Sequence, residues 1–184
     1  MRPSWHEYFM MLAKLISSRS TCNSRKVGAV IVKNNIILVA GYNGALGGQP
    51  HCSDKAPGFC FRRYMGIGDA EKYNYCVASH AESNAISQAA RHGVSLEGGT
   101  LYCTLEPCNA CLKQIIQAGI TEIYFETTYD SENEKFDEFW RQTVKNQRGV
   151  KVYKQISVSD HAKNFTIDVL KGNSNRQIKE VIAI

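Results

Sequence analysis

The first periodic signal along the chain is helical. Phe9, Leu12, Ala13 and Ile16 recur at i, i+3, i+4 and i+7, the spacing of one helix face. Ahead of them Ser4-Trp5-His6-Glu7 is a capping-box pattern, in which Ser4 accepts from first-turn amides and Glu7 reaches back to the cap. Two β-branched runs follow, Val27 to Val32 and Ile36 to Ala40, separated by Lys33-Asn34-Asn35, which predicts a hairpin closed by a short asparagine-rich turn. From Gly41 to Tyr75 the pattern dissolves into Gly, Pro, Asn and Asp. Structureless loops become uncommon beyond about 12–15 residues, so this stretch is expected to be functional or pinned. Periodicity returns at His80 to His92, where Ala81, Ala85, Ile86 and Ala89 mark a helix that Gly93 can end. Thr100 to Cys103 reads as a buried strand, Pro107 to Ala118 as a helix with proline at its first position, and Glu122 to Phe125 as a further strand. A helix around Phe136 to Lys145 and a strand around Val150 to Tyr153 follow the acidic stretch from Ser131 to Glu138, and beyond about residue 156 the periodic signal fades. The alternation predicts an α/β chain with one sheet covered by helices on both faces.

Composition narrows the function classes. The 184 residues suit one domain of roughly 100–200 residues, and 43% hydrophobic with 21% charged residues excludes collagen-like, coiled-coil and wholly disordered chains. No apolar run approaches the roughly 18 residues of a membrane span, and the N-terminal residues lack the pattern of a secretory signal. A soluble protein of a reducing cytoplasm is therefore expected, a host's cytoplasm if the chain is phage-encoded. The net charge of +5 suits an anionic substrate but falls short of the basic stripe of a nucleic-acid binder. The seven cysteines, an odd number, point to metal binding rather than a disulfide framework in that compartment.

Two segments carry the chemistry. His80-Ala81-Glu82 opens one predicted helix and Pro107-Cys108-Asn109-Ala110-Cys111 opens the next, giving H-x-E and P-C-x-x-C. One imidazole and two thiolates leave a tetrahedral zinc with an open position for water, the catalytic arrangement, and zinc lowers the pKa of bound water toward neutrality. Glu82, two residues from His80, leaves a helix in a different direction and suits a proton shuttle rather than a ligand. Unsatisfied amides at both helix starts favour thiolates at Cys108 and Cys111. A lone C-x-x-C is often half a structural zinc knuckle or a redox pair, and a lone H-x-E arises by chance. The two together, in this order and about 25 residues apart, form the signature of zinc nucleobase deaminases.

On these motifs, and on Arg19-Ser20-Thr21-Cys22, Lys26-Val27-Gly28-Ala29-Val30, Gly41-Tyr42-Asn43-Gly44, His51-Cys52, Gly58-Phe59-Cys60, Cys76, Thr104-Leu105-Glu106 and Tyr129, the chain resembles the cytidine deaminase superfamily, most closely its deoxycytidylate (dCMP) deaminase branch. The likeness spans residues 5 to 130. It implies a three-layer α-β-α sandwich around a five-stranded mixed sheet. It also implies one deaminase domain over residues 1–156, with residues 157–184 as an extension without an assigned role. The implied reaction converts dCMP and water to dUMP and ammonia, supplying dUMP for dTMP synthesis, with a catalytic zinc on His80, Cys108 and Cys111. Water attacks C4 while Glu82 protonates N3 and then the departing amine.

The resemblance further implies that Asn43 holds the sugar or base edge, a role that can coexist with turn chemistry at Asn43-Gly44. It makes Arg25 and Lys26 candidates for the 5′-phosphate, the alternative being solvated loop charges. Cys22, Cys52, Cys60 and Cys76, with His51 adjacent, would supply a second, structural zinc that pins the long loop. Their alternative role is that of four small hydrophobes, as expected for Cys103. Members of the branch are often hexamers activated by dCTP with Mg2+ and inhibited by dTTP. The corresponding effector and subunit contacts here would involve Gly44, Gly47 and Gly48, and Gln88 with Arg91 on one helix face. A polynucleotide deaminase would want a basic, aromatic groove that this sequence lacks, so no nucleic acid and no membrane are expected as partners. A zinc-stabilised binding module would usually have lost the shuttle, and Glu82 is present.

Overall fold

The capping box at the N-terminus forms. In the computed structural model, which describes residues 2–68, 75–130 and 134–172, Ser4 caps helix α1 (Trp5–Ser17). The Glu7 amide donates to Ser4 Oγ at 3.3 Å, and the Ser4 amide donates to Glu7 Oε2 at 3.0 Å. The two β-branched runs become β1 (Gly28–Lys33) and β2 (Ile36–Tyr42), paired antiparallel. Asn34 and Asn35 both take positive φ, 51° and 60°, the conformation of the type I′ turn whose twist matches that of the strands. The Gly41–Tyr75 stretch is not structureless: it carries the short strand β3 (Gly44–Ala45), a 3-10 turn over Cys52–Asp54 and helix α2 (Phe61–Tyr64). β3 pairs with β4 (Ala78–Ser79) as a small separate ribbon.

Helix α3 (Ala81–His92) starts from His80 as its cap and ends at Gly93, which takes the left-handed conformation. Strand β5 (Thr100–Leu105), helix α4 (Asn109–Gln117), strand β6 (Glu122–Thr127), helix α5 (Glu134–Lys145), strand β7 (Val152–Gln155) and helix α6 (Asp160–Leu170) complete the chain order. One expectation is corrected. Pro107 is not the first residue of α4: Cys108 is the cap, so proline stands one residue outside the helix, where its missing amide costs nothing. Residues 69–74 of the long loop, Ser131 to Asn133 in the acidic stretch, and residues 173–184 lie outside the described residues.

The central sheet runs β2-β1-β5-β6-β7. β1 is antiparallel to both neighbours, while β5, β6 and β7 are parallel, so the sheet is mixed and five-stranded as expected. Alternate residues of each strand feed opposite faces. Ala29 and Ile31 join Leu101, Cys103 and Ile123 under Ala81, Ala85 and Ala89 of α3, Cys111, Leu112 and Ile115 of α4 and Val144 of α5. Val30, Val32, Tyr102 and Tyr124 meet Phe9 and Ala13 of α1 on the other face. Helix α6 docks on the outside of α1 through Val158, Ala162 and Met10, and Glu7 accepts from the Ser159 hydroxyl at 2.6 Å. None of the described helices is long and apolar enough to cross a membrane.

Candidate active site

Two helix starts converge on one point. His80 and Cys108 occupy the caps of α3 and α4 with extended backbones, φ/ψ −74/156° and −67/166°, and the His80 side chain makes no capping bond to its helix amides. Instead His80 Nδ1 stands 3.6 Å from Cys108 Sγ and 3.3 Å from Cys111 Sγ. Cys111 lies three residues beyond Cys108 and so shares its side of the helix start. Among the described residues these three form the one group of His, Cys, Asp or Glu side chains whose ligand atoms all lie within 4.8 Å of one another. An imidazole and two thiols at that spacing fit zinc, which takes nitrogen and sulfur donors in a tetrahedron and keeps a fourth position for water in catalytic sites. Ser83 Oγ supports the cluster, 3.8 Å from Cys111 Sγ, and donates to Gln114 Oε1 at 2.7 Å.

The thiol pair is not electrostatically symmetric. A hydrogen bond from Cys111 holds the Cys108 thiol well below its ordinary value, helped by His80 and opposed by burial. The same bond, with burial, pushes Cys111 upward. The helix starts alone would favour both thiolates, but without a cation between them a second buried anion this close is repelled by the first. Glu82 lies beside them, 3% exposed, and burial pushes its carboxyl up to about 7 although the positive field of His80 pulls the other way. A carboxyl poised near neutrality can both take and give a proton at physiological pH. Cys103 is fully buried in the core, its thiol pushed well up by burial.

These groups open onto a cavity of about 330 Å³ whose lining includes Glu82, His80, Cys108, Asn43, Arg25 and Tyr129. Asn43 is 8% exposed and holds the preceding loop: its Oδ1 accepts from Ser20 Oγ at 2.7 Å and the Val27 amide at 2.8 Å, and its Nδ2 donates to the Arg25 carbonyl at 2.8 Å. The structure separates the two cationic candidates. Arg25 lines the cavity, whereas Lys26 faces a neighbouring groove with Lys14, Glu126 and Thr104, which Arg25 also borders.

Cys22, Cys60 and Cys76 line the cavity wall together with His80 and Cys108. Burial raises the Cys52 thiol, with smaller contributions from Cys60, Cys22 and Cys76, but the four sulfurs do not gather within 4.8 Å of one another as the His80, Cys108 and Cys111 ligand atoms do. Burial also raises Cys60, but hydrogen bonds from the Arg63 and Arg62 amides outweigh it and hold that thiol low. His51 is drawn aside, its Nδ1 3.5 Å from Asp54 Oδ2. Gly44 lies in β3 against Thr21, where an added Cβ would meet Thr21 Oγ1 at 2.7 Å, while a Cβ on Gly47 or Gly48 would meet nothing within 4 Å. Gln88 and Arg91 are both exposed on α3.

Sequence reasoning missed a second buried carboxylate. Glu106 is 3% exposed; Oε1 accepts from the Tyr153 hydroxyl at 2.6 Å and Arg141 Nε at 3.1 Å, and Oε2 accepts from Arg141 Nη2 at 3.0 Å and the Tyr129 amide at 2.9 Å. Burial raises the Tyr153 hydroxyl and the carboxylate raises it further, and the carboxylate also raises the Arg141 guanidinium. The one signal in the sequence was its place directly before Pro107-Cys108. Nothing in local pattern joins it to Arg141, which is 35 residues away. Arg62, 6% exposed, also lines the cavity, with Nη1 donating to the Ile67 carbonyl at 2.8 Å.

A three-layer fold in which paired helix starts bring one histidine and two cysteines to a buried glutamate defines the class of zinc-dependent α/β deaminases. The chain belongs to the cytidine and deoxycytidylate deaminase family, whose zinc-binding region matches residues 3–127. It is similar to the deoxycytidylate deaminase of Mycobacterium phage D29, 41% identical over 129 residues, 67% of this chain and 95% of the phage protein. It is similar also to that of Saccharomyces cerevisiae, 39% identical over 144 residues, 74% of this chain and 42% of the yeast protein. The chain spans 40% of the Schizosaccharomyces pombe deoxycytidylate deaminase and 62% of the Bacillus subtilis ComE operon protein 2, less than two thirds of these relatives as of the S. cerevisiae protein. Among solved structures, the dCMP deaminase of cyanophage S-TIM5 in complex with dCMP and dUMP is 30% identical with a TM-score of 0.61, over 85% of this chain and 99% of the phage one.

Proposed function

We propose that this chain hydrolyses dCMP to dUMP and ammonia, providing dUMP for dTMP synthesis. The observation that carries the reading is the placement of Glu82, buried with its carboxyl raised to about 7, in the same cavity as His80 and Cys108. Zinc held by His80, Cys108 and Cys111 would supply a water polarised enough to react near neutral pH. The protein's own part falls to Glu82, which takes a proton from the attacking water and delivers it to N3 of the base, then takes the second proton from the new C4 hydroxyl and passes it to the departing nitrogen, which leaves as ammonia. Dry surroundings serve this role, because a solvated carboxylate of ordinary pKa would hold its proton too weakly. Asn43 keeps the cavity wall in register and offers its amide to the nucleoside, and Arg25 offers the 5′-phosphate a cation at the rim, with Lys26 adding charge from the neighbouring groove.

Three further parts belong to the same reading. Cys22, Cys52, Cys60 and Cys76 bind a second, structural zinc that draws the loop against the cavity. The active assembly is a hexamer in the cytoplasm, activated by dCTP with Mg2+ and inhibited by dTTP. Effectors and subunit contacts use Gly44, Gly47, Gly48, Gln88 and Arg91. Residues 1–156 form the deaminase domain, and 157–184 extend it. The support is the family membership, and the cyanophage relative whose structure holds dCMP and dUMP.

Ammonia release from dCMP, CMP, dCTP and deoxycytidine, each with and without added dCTP plus Mg2+ or dTTP, tests the substrate and the effectors together. Elemental analysis of the same preparation counts zinc. Turnover of dCMP with two zincs per chain is the expected result; one zinc removes the structural site, and inert mononucleotides remove the substrate assignment.

A further inference from the structure

The Glu106–Arg141 ion pair stands outside the His80, Cys108 and Cys111 cluster, and Glu106 lines the cavity itself; together the pair grips a neighbouring residue of the cavity wall on both sides. Tyr129 follows β6 and lines the cavity. Its amide donates to Glu106 Oε2 at 2.9 Å, and its carbonyl accepts from Arg141 Nη2 at 2.7 Å. Both main-chain polar groups of this loop residue are therefore taken by the two members of a single ion pair. The pair is itself fixed. Glu106 sits at the end of β5, where its amide donates to the Thr127 carbonyl at 2.7 Å, and its carboxylate also accepts from Tyr153 in β7. Arg141 approaches from α5 with Nε and Nη2 both on the carboxylate. A planar fork of this kind fixes direction as well as distance, which a lysine ammonium cannot do.

We propose that Arg141 is a positioning residue: through its fork on Glu106 and its bond to the Tyr129 carbonyl it sets Tyr129 in the wall of the substrate cavity and so tunes substrate binding. Accepting the deamination reading, the clamp acts on KM and leaves the proton chemistry at Glu82 largely intact. Three elements distant in sequence are joined by it. With Tyr153 of β7 also on the Glu106 carboxylate, the turn carrying Cys108, the loop after β6 and the helix α5 meet there, so the cavity wall and the metal-binding turn keep a fixed spacing. No residue of the clamp is a candidate ligand.

Arg141→Met alone would strand a buried carboxylate, which is commonly severely destabilising. The informative protein is therefore the double variant Arg141→Met with Glu106→Gln, which removes both charges, with Arg141→Lys beside it. Steady-state kinetics on dCMP, zinc content and amide hydrogen exchange across residues 126–130 would be measured on both variants and the parent chain. The double variant is expected to keep its zinc, to raise KM for dCMP at least tenfold with kcat within about threefold, and to speed exchange at the Tyr129 amide at least tenfold. Arg141→Lys is expected to fall between it and the parent chain in both KM and exchange. Unchanged KM and unchanged exchange at Tyr129 would overturn the proposal, as would a fall in kcat that tracks loss of zinc. If the parent chain fails to deaminate dCMP, the deamination reading falls by itself, and with it the KM arm. The exchange of the Tyr129 amide then decides the clamp alone.

Discussion

Gly41 in β2 rests against the backbone of Ala81, the first residue of the helix that carries Glu82. A Cβ on Gly41 would stand 2.3 Å from the Ala81 carbonyl oxygen and 2.6 Å from the Ala85 amide nitrogen. Both obstacles are main chain of a packed helix and have no rotamer by which to yield. Gly41→Ala should therefore push the start of α3 off the sheet, taking His80 and Glu82 away from Cys108 and Cys111. Overpacking of this kind costs about 1–3 kcal/mol. Thermal unfolding should register it, and the variant should bind zinc more weakly than the parent chain. A variant with parental melting temperature and zinc content would contradict the close approach.

Glu82→Gln keeps the shape of the side chain and removes the proton. Because Glu82 stands outside the His80, Cys108 and Cys111 group, zinc content and the melting temperature should stay near those of the parent, while kcat in the proposed deamination of dCMP falls by about 10²–10⁴. Loss of zinc in step with activity would instead make Glu82 a metal ligand.

Cys108→Ser and Cys111→Ser remove one soft donor each from a three-donor site. Both should emerge from dialysis with substoichiometric catalytic zinc and without turnover. Cys103→Ser, in the core 0% exposed, should instead lower stability through its unpartnered buried hydroxyl and keep its zinc. Metal analysis beside a melting curve separates the two outcomes.

The link between α1 and the chain entering α6 runs through Glu7, whose carboxyl is lowered from 4.5 to about 2, first by the Ser159 hydroxyl and then by the Ser4 amide and hydroxyl. A carboxyl lowered in the folded state stabilises the protein above its unfolded pKa, and that stabilisation is lost as the pH falls through the folded one. Its contribution should thus be whole above about pH 4.5 and fade toward pH 2. Solvent screening at this surface position limits it to the scale of a helix cap, about 1 kcal/mol. Glu7→Gln should melt about 2–4 °C below the parent at pH 7, and the gap should close on acidification across that window. A gap independent of pH would assign the effect to packing of the side chain rather than its charge.

The parts of the fold whose signals are local can be read from the residues alone. The capping box at Ser4, the hairpin around Asn34-Asn35 and the start and stop of the helix after His80 are each written within a few neighbouring residues, because capping, turn and periodicity energies act over one or two turns of chain. The ligand set was legible for a related reason: His80, Cys108 and Cys111 stand at fixed offsets from two helix starts, so placing the starts places the donors. The remainder depends on contacts between segments far apart in the chain. The fold resolved the Gly41–Tyr75 stretch into short elements, separated Arg25 from Lys26 at the cavity, and gave Asn43 three hydrogen bonds to the segment between α1 and β1. It also brought Glu106, Tyr129, Arg141 and Tyr153 together. A buried carboxylate is tolerated only where partners arrive from several elements at once, and no window of sequence contains the geometry that brings them.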